Sequence, residues 1–375
     1  MSAVVTGIGV VSALGSGAEA FKAAMQQGVN ACAMHEFERM GGAKAIAPAY
    51  RAVAPDAKGL IDPRKLRRMD RLIRMAAVSA RQALNMAGLQ PERGDVHASR
   101  LGVVFGTAYG AIGTTQEFID SWLKNGQRHA SPLAFMSSVH GILASQVALD
   151  IGATGVNLTL SQRDVSFEAA LSSALSQLEC GRADAILVGG ADELTGLLHE
   201  FASHFRYVES GPTAGCDPWS GEGRAIPGDG GAVLLLEREG GPRRALARVE
   251  QARVARHDTG REMLDDLNLA GVDLVTSCRG GSRRAFTLEN GRSRVLAKRL
   301  AAPELSHRGN FGNFPTAGAL QAVVNVLMLQ GQVFAPMAAG RQRQDLVAGC
   351  RLPRRILHDA ASVTGLHGAY VLSAV

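Results

Sequence analysis

Gly155-Val-Asn-Leu-Thr-Leu-Ser-Gln-Arg-Asp-Val-Ser-Phe-Glu-Ala-Ala170 is the stretch on which the reading of this 375-residue chain turns. Residues 156–160 alternate and are rich in β-formers, so they read as a buried strand, and residues 167–179 space their apolar side chains at helical intervals. The two elements meet at a sharp turn. Such a turn presents one side chain at a helix N-terminus, where free backbone N–H groups and the helix dipole favour an anion and lower a thiol's pKa. A nucleophilic thiolate suits that position. The turn offers Ser161, Gln162, Arg163, Asp164, Val165 and Ser166 instead, and the nearest cysteine, Cys180, is a full helix away.

Working outward, strand-like runs alternate with helical ones along most of the chain, which predicts an α/β protein with largely parallel sheets. Residues 101–105, 185–188, 232–237 and 273–277 read as strands. Residues 72–88 read as an amphipathic helix stopped by Gly88, and residues 317–329 as a second helix. The turn-rich Arg238-Glu-Gly-Gly-Pro-Arg-Arg244 marks a seam between two parts.

Bulk properties exclude several function classes. A 46% hydrophobic, 20% charged composition is ordinary for a globular protein. No run approaches the ~18 apolar residues of a membrane-spanning helix, and the chain opens on a strand-like Ala3-Val-Val-Thr6 rather than a basic leader. A cytoplasmic location without membrane association is therefore expected. Five cysteines, odd in number and without CxxC spacing, point to packing thiols rather than disulfides or a metal site. The net charge of +6 comes without the aromatic interleaving of a nucleic-acid surface. It gathers at Lys65, Arg67, Arg68, Arg71 and Arg74 and again at Arg351, Arg354 and Arg355. A basic patch steers an acidic partner by sign alone, although such runs are more often solvated helix faces.

Several blocks, in order and over nearly the whole chain, resemble the β-ketoacyl-acyl-carrier-protein synthase (ketosynthase) family. They are Val4-Val-Thr-Gly-Ile-Gly-Val-Val-Ser-Ala-Leu-Gly15, Arg68-Met-Asp-Arg71, Phe105-Gly-Thr107, Gly181-Arg-Ala-Asp-Ala-Ile-Leu-Val-Gly-Gly190, and Asp217-Pro218 followed by Arg224 and Gly228-Asp-Gly-Gly-Ala232. The resemblance implies a thiolase-like α/β fold, in which two pseudo-twofold-related halves, here 1–240 and 241–375, form a layered αβαβα core. It also implies a chemistry: a cysteine thiolate that holds the growing acyl chain, and two imidazoles that stabilise the enolate formed as CO2 leaves.

None of these groups is where the resemblance puts it. Counting back from Gly189-Gly190 sets Asp164 in the cysteine's place, where a carboxylate would repel malonate but serve as a helix N-cap, worth about 1 kcal/mol. Cys278 or Arg279 follows the strand at which the first histidine is expected. Gly312 takes the second histidine's place, His307 that of a family lysine, and Glu289 that of the glutamate pairing with it. Tyr370, in Gly365-Leu-His-Gly-Ala-Tyr370, replaces an asparagine of the gate. The bland readings are that His307 is structural and Cys278 a packing thiol at a strand end.

Within the family, a ketosynthase-like protein lacking the cysteine implies a chain-length factor, the partner of a cysteine-bearing ketosynthase in type II polyketide systems. The compact length leans toward the small pairs that make aryl polyenes. On this reading the chain works as a heterodimer with that ketosynthase subunit and with an acyl carrier protein, which brings its own phosphopantetheine; the chain needs no cofactor or metal. The segment Ser131-Pro-Leu-Ala-Phe-Met-Ser-Ser-Val139 would reach the neighbour's acyl pocket, so Leu133, Ala134 and Phe135, with Tyr109, are the expected tunnel wall. The alternative for these residues is a plain dimer core. Lys65, Arg67, Arg68 and Arg71 are the expected carrier-docking residues. The alternative function is an independent homodimeric decarboxylase or acyl-transfer enzyme using Asp164 or Ser166.

Overall fold

The computed structural model describes residues 3–39, 42–126, 131–209, 211, 213, 215–221, 223–256, 261–283, 285–333 and 352–375. Among them the strands are β1 (Ala3–Ser12), β2 (Gly15–Ser16), β3 (Ala33–Glu38), β4 (Lys44–Ala49), β5 (Leu101–Gly106), β6 (Asn157–Leu160), β7 (Ala185–Asp192), β8 (Gly230–Arg238), β9 (Ala247–Arg256), β10 (Leu274–Ser277), β11 (Glu304–Leu305), β12 (Arg355–Ala361) and β13 (Leu366–Ser373). The helices are α1 (Ala18–Gln26), α2 (Pro63–Leu66), α3 (Arg71–Ala87), α4 (Ile112–Asn125), α5 (Pro132–Ser137), α6 (Ile142–Ile151), α7 (Ser166–Glu179), α8 (Gly196–His204), α9 (Arg261–Asp265), α10 (Phe286–Arg299), α11 (Arg308–Phe311) and α12 (Gly318–Leu329).

An internal repeat that the sequence hides is plain in the strand order. The large sheet runs β11-β10-β12-β13-β9-β1-β8-β7-β5-β6. From either end inward, the first three strands pair in parallel and the next two antiparallel: β6, β5, β7, β8, β1 on one side and β11, β10, β12, β13, β9 on the other. The two sets join where β1 pairs antiparallel with β9. The sheet is thus mixed rather than largely parallel. The link from β12 to β13 is only the turn at 362–365, and a parallel return would need a crossover of a dozen residues or more.

Alternation along the strands sorts the apolar side chains into layers. Val104, Ile186, Val188, Leu234 and Leu236 face a middle layer that holds α7 and α12, while Val103, Leu187, Val233 and Leu235 face α3 and α6 on the outside. In the second set, Leu274, Ile356 and Leu372 turn to the same middle layer, and Val275, Leu357 and Val371 turn to α9 and α10. Helix, sheet, helix, sheet, helix is the stacking expected from the resemblance. Helix α12, buried along its whole length, is the shared centre.

Two details fix the frame around the site. Helix α3 is capped by the Asp70 carboxylate, which accepts from Ile73 N at 2.8 Å, and ends at left-handed Gly88. It packs so closely on β1 that a Cβ at Gly7 or Gly9 would sit 2.1 or 1.9 Å from the carbonyl oxygens of Ala83 and Ser79.

Candidate functional site

The decisive stretch folds as a strand, a tight turn and a helix. Strand β6, however, is the last strand at its end of the large sheet and is solvent-facing, not buried, with Leu158 among the exposed large apolar side chains. Alternation specifies a strand but not whether a neighbour covers its outer edge. After β6 the chain makes a single 3-10 turn over Arg163–Val165, and Arg163 takes a φ of 51°. For a residue with a long side chain this left-handed conformation is uncommon and strained.

Asp164 does not cap α7. The helix begins at Ser166 behind Val165, which supplies no side-chain cap. The Ser166 hydroxyl stitches the turn instead, accepting from Gln162 N at 2.8 Å and donating to Arg163 O at 2.7 Å. The Asp164 carboxylate reaches across to the β12–β13 turn, where it accepts from Ser362 Oγ at 2.6 Å. Asp164 thus ties the turn before α7 to the turn between β12 and β13.

Cys278 lies at the end of β10, beside the same turn. Its Sγ accepts from Ala361 N at 3.3 Å, and burial pushes its thiol up to about 12, so it is an inert packing thiol at neutral pH. Cys216 is also buried, donates to Gly280 O and is likewise pushed up to about 12.

Gly312, where the resemblance expects the second imidazole, has no room for a side chain. The glycine has a φ of 89°, and a Cβ there would lie 2.6 Å from the Cβ of Tyr50, with more of that ring within 2.8 Å. Fully buried Tyr50 fills the space. Its hydroxyl donates to Gly309 O and accepts from Cys216 N, both at 3.0 Å.

His307 is fully buried and forms hydrogen bonds with Gln321, not with Glu289, whose carboxylate accepts from Gly280 N at 3.0 Å. Counting forward along α12 would have pointed to Gln321. Burial pushes His307 down to about 4, so it is neutral at pH 7. From Gln321 a polar chain runs to Asn325, which donates to Thr276 Oγ1 and to the Tyr370 hydroxyl. Thr276 shares a hydrogen bond with His358, whose ring stacks on Tyr370.

The sequence reading also missed Glu168, one turn along α7 from Asp164, and Arg308. Glu168 is completely buried, with Oε1 3.4 Å from His358 Nε2 and its volume made by Gly318 and Gly368. Arg308, only 4% exposed, donates to Phe314 O. Burial lowers its pKa, while Cys278, Glu168 and Asp164 oppose that shift, which places the guanidinium among the altered positions. Asp164, Cys278, Glu289 and His307 are thus each committed to a hydrogen bond with a neighbouring side chain or main-chain group, and the Cys278 thiol and His307 imidazole are both neutral at pH 7.

The second set of candidates faces outward. Leu133 is 73% and Phe135 57% exposed on α5, Ala134 is half-buried between them, and Tyr109 is exposed just beyond β5. The inner side of Phe135 packs on Phe118 of α4 at a ring separation of 5.4 Å, which makes α4 and α5 one apolar hairpin. Ile119, Trp122, Leu123, Met136 and Val139 add exposed apolar surface beside it.

The basic candidates divide. Arg67 and Arg68 are exposed, and Lys65 bonds Asp150 at 3.0 and 3.3 Å. Arg71 is turned inward, where it grips buried Asp229 through Nε and Nη2 at 3.0–3.2 Å and donates to Ala52 O. That pairing, across 158 residues of sequence, removes Arg71 from the expected docking set. Of the expected basic residues, Arg351 falls outside the described residues. Among the described residues no helix is long and apolar enough to cross a membrane, and a cleft of about 130 Å³ at the seam, lined by Thr6, Glu237 and Arg243, holds none of the site residues.

Comparison with known proteins identifies the fold and the family. Nodulation protein E of Rhizobium meliloti (strain 1021) is 27% identical over 235 residues, 62% of this chain, and the match spans only 57% of that protein. The putative polyketide beta-ketoacyl synthase 1 of Streptomyces halstedii is 29% identical over 372 residues, covering 89% of this chain and 87% of that protein. In three dimensions the ishigamide ketosynthase/chain length factor superposes with a TM-score of 0.85 at 19% identity, covering 100% of this chain and 99% of that one. The fold is the thiolase-like fold of ketosynthases. The model for "Beta-ketoacyl synthase, N-terminal domain" matches residues 2–240, and the chain belongs to the beta-ketoacyl synthase family.

Proposed function

We propose that this chain is the non-catalytic, chain-length-setting partner of a cysteine-bearing ketosynthase, in a type II polyketide synthase of the polyene-making kind or a fatty-acid-like synthase. One pairing of observations carries the reading. At the positions where the resemblance expects a nucleophile and an imidazole, Asp164 is bonded to Ser362 and Tyr50 fills the space over Gly312, while an edge strand and the α4–α5 hairpin leave large apolar side chains in water. Condensation needs a thiolate and donors aimed at a developing enolate. A surface that contacts a partner needs neither.

The mechanism is geometric. The ketosynthase subunit would seat on the β6 edge and the α4–α5 hairpin, and Tyr109, Leu133, Ala134 and Phe135 would close one side of its acyl tunnel. Their bulk would set how far a chain can extend, since overfilling a packed pocket costs ~1–3 kcal/mol. The growing chain would arrive on the phosphopantetheine arm of an acyl carrier protein, with Lys65, Arg67 and Arg68 providing positive charge for an acidic carrier. All of this would take place in the cytoplasm.

Two measurements test it. Incubated alone with radiolabelled malonyl and acyl carrier proteins, the chain should neither release CO2 nor acquire label; either event would favour a homodimeric decarboxylase or acyl-transfer enzyme. Reconstituted with its ketosynthase, an Ala134→Phe variant should shorten the product. Unchanged length with an intact complex would remove Ala134 from the wall.

A further inference from the structure

Two consecutive acids at the end of β7 hold the segment that carries the contact face. Asp192, fully buried, accepts from Ala108 N and Tyr109 N at 2.9 and 3.2 Å and from Thr107 Oγ1 at 2.9 Å. Its other oxygen accepts from Thr316 N and Oγ1 at 3.2 and 2.8 Å, just before α12. Glu193, 5% exposed, accepts from Gly113 N at 2.8 Å, in the first turn of α4. Residues 107–113, with Tyr109 in the middle and the α4–α5 hairpin beyond, are thus pinned by two neighbouring carboxylates.

We propose that Asp192 and Glu193 are positioning residues for the contact face, and that Glu193 makes the grip on α4 depend on protonation. Asp192 has five hydrogen bonds and is the fixed half. Glu193 accepts from Gly113 N and sits in a crowd of charge: Asp70 and Arg71 at the start of α3, Asp229 ahead of β8, and Arg51 after β4. Asp70 also holds α4, accepting from Thr114 Oγ1 at 3.0 Å. Arg71 is already committed to Asp229. His35 on β3 faces the same Arg51, Arg71 and Asp229 charges, Asp164 and Arg163 act on Tyr109, and the His140 ring lies against Gly110.

Burial pushes Glu193 up to about 7 from the usual 4.5, with Asp70 and Asp229 adding to the shift and Gly113 N and Arg71 opposing it. The sign follows from linkage. Freeing the segment exposes Glu193 to water, where its pKa returns to the ordinary range, so the open form binds fewer protons between pH 4.5 and 7. Rising pH through that window therefore favours release, and the effect levels off above the folded pKa. The face is held more tightly at pH 5.5 than at pH 8. The clamp is a property of this chain alone; its consequence for partner affinity rests on the function proposed above.

Trp122 on α4 reports the clamp. With Trp219→Phe as background, acrylamide quenching of Trp122 and hydrogen exchange of α4 amides, corrected for intrinsic exchange, are followed from pH 5.5 to 8 in the full chain. Opening should rise by ~10-fold or more with a midpoint near 7, the size set by a shift of this magnitude. Glu193→Gln keeps an acceptor for Gly113 N and should abolish the pH dependence while holding α4 as tightly at pH 8 as the parent does at pH 5.5. His140→Gln should leave the titration in place. A flat profile in the parent, or a titration that survives in Glu193→Gln, overturns the proposal. Neither readout involves the ketosynthase, so the clamp can fail while the proposed function stands. If the titration appears but ketosynthase affinity is the same at both pH values, the partner consequence falls.

Discussion

The interior around Asp164 and the surface around Leu133 differ in how their side chains are partnered. In the interior, the side chains at the positions expected for catalysis have local partners: Asp164 bonds Ser362, Tyr50 fills the volume above Gly312, and His307 bonds Gln321. On the face, Leu133, Phe135 and Met136 stay in water, although soluble monomers rarely expose large contiguous apolar patches. A decaying enzyme would loosen in both places. The contrast instead fits a molecule whose interior is packed for stability and whose surface is kept for a neighbour.

The comparison can be broken most sharply in the interior. Gly312→His would force a side chain into the volume of Tyr50 at a left-handed backbone position, and should cost at least ~3 kcal/mol in urea unfolding. A loss under ~1 kcal/mol would show that Tyr50 is not a tight plug. On the face, Leu133→Asp should change fold stability by no more than ~0.5 kcal/mol while weakening the ketosynthase complex at least ~10-fold, or ~1.4 kcal/mol. Equal affinity for both forms by titration calorimetry would remove α5 from the interface. The smallest expected effect is at Asp164→Cys. It should lose the Ser362 bond, about 1 kcal/mol, and should release no labelled CO2 from malonyl carrier protein, because a thiol placed there without imidazole donors still lacks enolate stabilisation.

Some of this was legible in the sequence and some was not, for physical reasons. The helices at 71–87 and 318–329 and the strands β5, β7, β8 and β10 follow from local periodicity, which depends on near neighbours only. The absence of a thiol at 161–166 is equally local. The exposed edge of β6 was invisible, because alternation reports one face of a strand and says nothing about its hydrogen-bonding edge. Arg71 with Asp229 and Asp164 with Ser362 pair over 158 and 198 residues, and no local pattern records them. The partner of His307 was hidden for a different reason: it lies 14 residues on, along α12, and is an amide, Gln321. The acids at 192 and 193 did carry a signal, since two carboxylates ending an apolar strand must be satisfied by something that crosses its end.

Tyr50 has a consequence for the substitutions open to this chain. Its hydroxyl ties the main chain at Gly309 and Cys216, so shrinking it to admit a larger side chain at 312 would sacrifice both tethers. Any substitution at 312 is therefore coupled to position 50. One ring acts as a keystone for three separate stretches of chain, at 216, 309 and 312, and none of them can change without the others.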